Sequence, residues 1–217
     1  MLDNNWELIS GEEAHEIEVL NYANQVNVIE ALVRYILFHA GTSETGCPNH
    51  PNLSVLREFH RTATLFLLKS PGEYREGPVY LKTSSGELVY TPPRFEEVDH
   101  WLNVFATELS TRWKGYTAVQ MGSYVLWFIN WVHPFKNGNG RTARAFCYAC
   151  VSLKMGFVLP GEPTLIDLVM QSVEEYQLAL REGDISFGAN GEPDLTSMNA
   201  MVERLLIQQL DNVPEAV

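Results

Sequence analysis

The chain has 217 residues, 46% of them hydrophobic and 19% charged, which suits one globular domain with a sizeable core and an appended helical arm. A formal net charge of -12 excludes broad affinity for nucleic acid or an anionic membrane, because both rest on basic surface, so a phosphate site must use local cations. Residues 1–20 hold several acids and no apolar core bounded by Lys or Arg, so no secretory leader is expected; Val125 to Val132, the most apolar run, falls far short of the ~20 residues that span a bilayer.

Residues 12–39 place Ile17, Leu20, Val26 or Ile29, Val33, Ile36 and Leu37 near helical period, with Gly41 as a stop, giving one long helix or two in sequence. A loop follows over 41–52, then an amphipathic helix from Leu53 to Leu68 that Ser70-Pro71-Gly72 ends, and Pro71-Gly72-Glu73-Tyr74-Arg75 reads as an ordered turn. Val79-Tyr80-Leu81 and Leu88-Val89-Tyr90 are β-prone runs flanking 82–87, a hairpin signal closed by Pro92-Pro93. A lone hairpin is marginally stable and leaves an edge that can receive an extended peptide by strand addition. Helical period returns from Phe95 to Leu109. Thr117 to Val132 is apolar on nearly every side and is expected to be the central buried helix, followed by a helix from Arg141 to Met155 ended by Gly156. Two further helices, Leu165 to Leu180 and Thr196 to Leu210, are separated by a Gly- and Asp-rich loop over 183–194. The fold class is mainly α with one small hairpin.

The three cysteines, Cys47, Cys147 and Cys150, are an odd set in a chain without a leader, which points to a reducing, cytoplasmic setting. Cys47-Pro-Asn-His50 and Cys147-Tyr-Ala-Cys150 together offer zinc two Cys-x-x-ligand pairs. The favoured reading is plainer: Cys147 and Cys150 are small apolar residues on a helix, and Cys47 lies in a loop.

The densest chemistry lies in residues 133–144, His-Pro-Phe-Lys-Asn-Gly-Asn-Gly-Arg-Thr-Ala-Arg. Pro134 ends a helix at His133. Gly138 and Gly140 permit the positive φ angles of an anion-binding nest, and the following helix directs its positive dipole end at the same place. His133, with an ordinary pKa of about 6.5, is able to accept a proton at neutral pH; its bland alternative is a helix cap. Arg141 and Arg144, three apart, share a helix face. The sequence suggests a base beside a phosphate cradle.

Those twelve residues resemble the signature of Fic (Fido) domain proteins, His-x-Phe-x-Asp/Glu-Gly-Asn-Gly-Arg-x-x-Arg, with one departure, Asn137. The Pro-Gly-Glu-Tyr-Arg turn, the hairpin followed by Pro-Pro and the order of helices are also similar to that family over most of residues 53–180. The resemblance implies a Fic-like helical bundle with a β-hairpin flap: an N-terminal helical segment over 1–52, a core over 53–180 and a C-terminal helical extension over 181–217. It implies a protein adenylyltransferase that moves AMP from ATP, with Mg or Mn, to a Ser, Thr or Tyr hydroxyl of a target protein. In that reading His133 and Arg141 are catalytic, and Gly138, Asn139, Gly140, Arg141 and Arg144 hold the phosphates. Tyr176 and Leu180 line an adenine pocket or simply pack in the core. Val79, Tyr80, Leu81, Leu88, Val89 and Tyr90 form the flap that holds the target.

The family's acid at position 137 holds Mg²⁺, and Asn offers only a weaker, neutral oxygen. Three outcomes stay open: the phosphates hold the metal, another group is transferred, or turnover is low. The alternatives are therefore a different phosphate donor on the same scaffold, or a binding or regulatory module. Fic proteins are often restrained by a helix carrying Ser/Thr-x-x-x-Glu-Gly/Asn; residues 26–31, Val-Asn-Val-Ile-Glu-Ala, look like a degenerate copy whose Glu30 is expected to pair with Arg144. Otherwise Glu30 is a solvated helix acid. Neither nucleic acid nor membrane is an expected partner, and a homo-oligomer is left open.

Overall fold

The computed structural model describes residues 7–9, 11–40, 49–82 and 86–213. Its centre is the helical hairpin of α4 (Ala118–Val132) and α5 (Asn139–Met155), joined by the signature loop. Thr117 caps α4 by accepting from Gln120 N, while the Gln120 side chain accepts from Thr117 N, a capping box. Every residue from Met121 to Ile129 is buried, which is why this helix is apolar on all sides. The two helices approach closely at Gly122, where a Cβ would lie 2.8 Å from Val151 Cγ2 and 3.2 Å from Cys147 Sγ.

The other helices wrap this pair. A single helix α1 (Glu12–His39) packs with α2 (Leu53–Thr64) against α5, burying Ile29, Val33 and Ile36. A 3-10 turn at Phe95–Glu97 leads into α3 (Val98–Arg112), which packs on α4. Then α6 (Leu165–Gln171), α7 (Val173–Asn190) and α8 (Thr196–Asp211) close the far side. The hairpin is β1 (Leu81–Lys82) paired antiparallel with β2 (Leu88–Tyr90), in the register Leu81 to Tyr90 and Lys82 to Leu88. Among the described residues, no helix is long and apolar enough to cross a membrane.

Four expectations about elements are corrected. Helix α2 stops at Thr64 rather than Leu68; the amides of Leu67 and Leu68 both donate to Thr64 O, Phe66 turns to φ 62, and Leu68 forms a bridge with Glu7. Helix α5 begins at Asn139, two residues before Arg141, because Gly138 at φ 76 serves as its N-cap. The run from Leu165 to Leu180 breaks at Ser172 into α6 and α7. Finally, the loop expected over 183–194 is helical to Asn190, and the boundary expected at 180/181 falls inside α7. Gly183 is no breaker. A Cβ there would come within 2.7 Å of Trp127 Cδ1, so its lack of a side chain lets α7 approach α4, and Asp184 accepts from Trp127 Nε1 at 3.0 Å.

The zinc reading also fails among the described residues. Cys147 and Cys150 are fully buried free thiols, and burial pushes both thiol pKa values up. His50 packs against Trp113 with 5.5 Å between ring centroids, no cluster of metal-ligating side chains is present, and Cys47 lies outside the described residues.

Candidate active site

The site forms where α4 ends and α5 begins. His133 is the C-cap of α4 in the left-handed region, φ 50 and ψ 59, with its amide donating to Ile129 O at 3.0 Å. Its Nδ1 lies 3.3 Å from Asn130 O. A carbonyl only accepts, so that contact favours the Nδ1–H tautomer and leaves Nε2 as a bare acceptor. Burial lowers the His133 pKa to about 4, against the opposing pull of the Asn130 carbonyl, and the Arg75 guanidinium adds to the lowering. The imidazole is therefore neutral at pH 7.

The following loop is held from inside. Asn139, 2% exposed, accepts from Phe135 N and donates to Phe135 O, both at 2.9 Å, closing the turn with one side chain. Phe135 is fully buried and stacks on His60 with 3.7 Å between centroids and 4° between planes. Gly138 is required by contact as well as by φ, since a Cβ would sit 2.6 Å from Thr64 Cγ2. The first intrahelical bond of α5 runs from Thr142 N to Gly138 O at 3.0 Å, so the amides of Asn139, Gly140 and Arg141 are unused by the helix and available to an anion. Gly138 N is not equally free. It donates to Asn137 Oδ1 at 2.6 Å, so the cradle expected from Gly138 to Arg141 has its first amide covered.

Arg75, 3% exposed, makes no ion pair among the described residues and instead clamps carbonyls. Its Nε donates to His133 O at 2.8 Å and its Nη2 to Pro93 O at 2.6 Å, while its own amide donates to Pro134 O at 2.8 Å. A guanidinium at the C-terminal end of α4 complements the negative end of the helix dipole and ties the hairpin's closing prolines to the signature. Replacing Arg75 with Met should destabilise the protein by about 1–3 kcal/mol in urea unfolding, because it strands the His133 and Pro93 carbonyls; an unchanged midpoint would contradict this assignment.

Arg141 and Arg144 line a cleft of about 210 Å³ between α1, α5 and α6, together with Glu18, Tyr22 and Asp167. Arg141 Nη1 donates to Glu18 Oε1 at 2.8 Å. Arg144 Nε is buried and has no hydrogen-bond partner among the described residues. Tyr22 latches α1 to α6 by donating to Asp167 Oδ1 at 2.7 Å.

The expected Glu30 to Arg144 pair is not made: Glu30 pairs with Arg34 at 3.5 Å. It lies twelve residues beyond Glu18, about 18 Å further along α1, so Glu18 is the helix acid at the cleft. Tyr176 is 7% exposed and accepts from Asn130 Nδ2 at 2.8 Å, and Leu180 packs against the core. Tyr176 thus lies beneath the site rather than presenting an open ring to a base. In the hairpin, Tyr80, Leu88 and Val89 are exposed, but Tyr90 is an anchor, donating to Trp131 O at 2.6 Å. Val79 and Tyr80 precede the paired strand. Sequence reasoning missed His60, Glu18 and Asn130 and gave Arg75 no role; the one available signal was His60's place on the apolar face of α2.

Residues 51–151 match the family model described as Fic/DOC. The chain carries a Fic domain. Its structure is similar to that of a Fic-domain-containing signaling protein from Bacteroides thetaiotaomicron, with a TM-score of 0.67 and 20% identity, over 94% of this chain and 72% of that one. A Fic family protein from Desulfovibrio desulfuricans aligns with a TM-score of 0.63 and 17% identity over 94% of this chain and 54% of that one, so this chain spans about half its length. BepC of Bartonella tribocorum, solved with bound AMPPNP, aligns with a TM-score of 0.53 and 13% identity over 90% of this chain and 87% of that one. These identities show a shared fold. A search of curated proteins finds no match.

The Fic domain offers poor donors for a protein-held Mg²⁺ or Mn²⁺. The signature has no carboxylate, and its two amide oxygens, Asn137 Oδ1 and Asn139 Oδ1, already accept from Gly138 N and Phe135 N. These residues do not fit a resident metal.

Proposed function

We propose that the protein is an adenylyltransferase that moves AMP from ATP to a Ser, Thr or Tyr hydroxyl of a target protein. The observation that carries this reading is a neutral His133 at the end of α4, joined by a five-residue loop to a helix N-terminus with unused amides, with two arginines of that helix in a cleft. The bare Nε2 of His133 takes the proton as the hydroxyl oxygen attacks the α-phosphorus. One P–O bond forms, the bond to the bridging oxygen breaks, and pyrophosphate leaves. The amides of Asn139 to Arg141 and the two guanidiniums stabilise charge that spreads over the phosphate oxygens. A related Fic protein with bound AMPPNP supports a nucleoside triphosphate as donor. Metal that enters with ATP comes on its phosphates. The exposed Tyr80, Leu88 and Val89 give the hairpin apolar surface suited to a target segment.

Glu18 is the restraint in this reading, occupying Arg141 in the absence of nucleotide. Glu18→Gln should tighten ATP binding by about twofold to fivefold, the range of a partly exposed ion pair, while Glu30→Gln leaves it unchanged. Calorimetric titration of both variants checks the assignment, and equal behaviour would remove Glu18 from it.

The covered Gly138 amide and the missing acid at position 137 favour a second reading, a nucleotide-binding module with weak turnover. Intact mass after incubation with ATP and candidate targets separates the two. An adenylate increment on protein supports transfer, a phosphate increment reassigns the reaction, and saturable ATP binding without any increment supports the module.

A further inference from the structure

The ring of His60, on the last turn of α2, touches three separate parts of the site. Its Nδ1 accepts from Gly72 N at 2.8 Å, its Nε2 lies 2.9 Å from Asn137 O, and its face stacks on Phe135. These contacts fix its chemistry. A backbone amide only donates and a carbonyl only accepts, so Nδ1 is bare and Nε2 carries the proton. Neither the other tautomer nor the imidazolium satisfies both contacts. His60 is 1% exposed, and burial lowers its pKa to about 4, with the Arg141 charge adding to the lowering against the favourable Asn137 contact, so it is neutral at pH 7.

Asn137 O and Gly138 N belong to one peptide unit. In a trans peptide the carbonyl and the N–H point in opposite directions. Holding the oxygen inward against His60 therefore turns the Gly138 N–H outward, where Asn137 Oδ1 covers it. The same orientation sets the φ of Gly138, and with it the start of α5 and the aim of the next three amides. Thr64, one turn along α2, touches the position a Gly138 Cβ would take, so the loop rests directly on this turn.

We propose that His60 is a positioning residue of the phosphate site: as the Nε2–H tautomer it orients the 137–138 peptide and so aims the α5 amides at the phosphates of the donor. This rests on the transferase reading for its substrate, though not for its geometry. Three measurements on the full chain test it. In ¹⁵N NMR at pH 7 without nucleotide, His60 should show a protonated Nε2 and a bare Nδ1; the opposite tautomer would overturn the proposal.

Next, His60→Leu keeps bulk without a donor, whereas His60→Gln keeps an N–H near the Nε2 position. With folding checked by circular dichroism and thermal melting, affinity for inorganic pyrophosphate should fall at least tenfold in His60→Leu and stay within about threefold of wild type in His60→Gln. A folded His60→Leu with unchanged affinity, or equal losses in both variants, would overturn it. Last, kcat for adenylate transfer should follow the same order. If wild type transfers nothing while the NMR and pyrophosphate results hold, the transferase reading fails and the positioning role stands.

Discussion

Replacing His133 with Ala should slow adenylate transfer by roughly 10² to 10⁴, the range that a positioned general base supplies. The loss should fall on kcat, with ATP affinity nearly intact. His133 sits at the C-cap of α4, whereas the phosphate contacts of the proposed function are the α5 amides with Arg141 and Arg144. The lowered pKa has its own consequence. A base of pKa about 4 is unprotonated throughout the physiological range, so kcat should show no ascending limb from pH 6 to 8. An ascending limb centred near 6.5 would mean that His133 is not desolvated as the structure has it. A large loss of ATP affinity in His133→Ala would mean that the ring helps shape the cradle instead of acting as base.

Moderate acid should destabilise the protein. His60 and His133 are both neutral in the fold, with pKa values of about 4, and both gain protons near 6.5 when unfolded. Because the unfolded state binds more protons in this window, stability is full above pH 6.5 and falls as pH drops toward 4. Between pH 7 and 5 the deeply buried His60 accounts for about 2 kcal/mol and the less covered His133 for less, so the pair contributes a loss of about 2–4 kcal/mol. Asp184 works in the opposite direction. Burial raises its carboxyl to about 6, so it takes a proton in the folded state first, and its partial exposure keeps this offset smaller. Urea unfolding of wild type and His60→Gln at both pH values isolates the His60 share. The variant should lose about 2 kcal/mol less than wild type over this interval, and parallel losses would show that His60 is not the titrating group.

The loop and helix start within residues 133–144 were readable in sequence because Pro134 and Gly138 punctuate the backbone locally, whereas Gly140, expected at positive φ, is instead helical within α5 because Gly138 alone makes the turn. The buried character of α4 and the hairpin were legible for the same local reason, as composition and turn residues. What was not legible depends on distant partners. Gly183 looked like a breaker because nothing local announces Trp127 packed against it. Glu30 was read from a degenerate motif and Glu18 went unnoticed, because which α1 acid meets the cleft is decided by how that helix docks on α5. His60 and Arg75 escaped notice because their partners are backbone carbonyls and an amide from segments 12 to 77 residues away, a relation that side-chain spacing does not record.

Tyr90 and Asn137 show the same limit from the other direction. Both were assigned outward roles, target binding and metal binding, and both turn back on the protein, to Trp131 O and to Gly138 N. The hairpin is thereby anchored at one strand and exposed at Leu88 and Val89, and the first amide of the proposed phosphate cradle is covered by its own loop.

The most direct measurement is a paired count under single-turnover conditions, with a target protein or self-modification as acceptor: protein-bound label from ATP labelled at the α-phosphate, and pyrophosphate released, in wild type and His133→Ala. Equal amounts of bound label and pyrophosphate in wild type, both falling at least a hundredfold in rate in the variant, is the predicted result. Label that reaches protein only from the γ-phosphate, or transfer undiminished without His133, would contradict it.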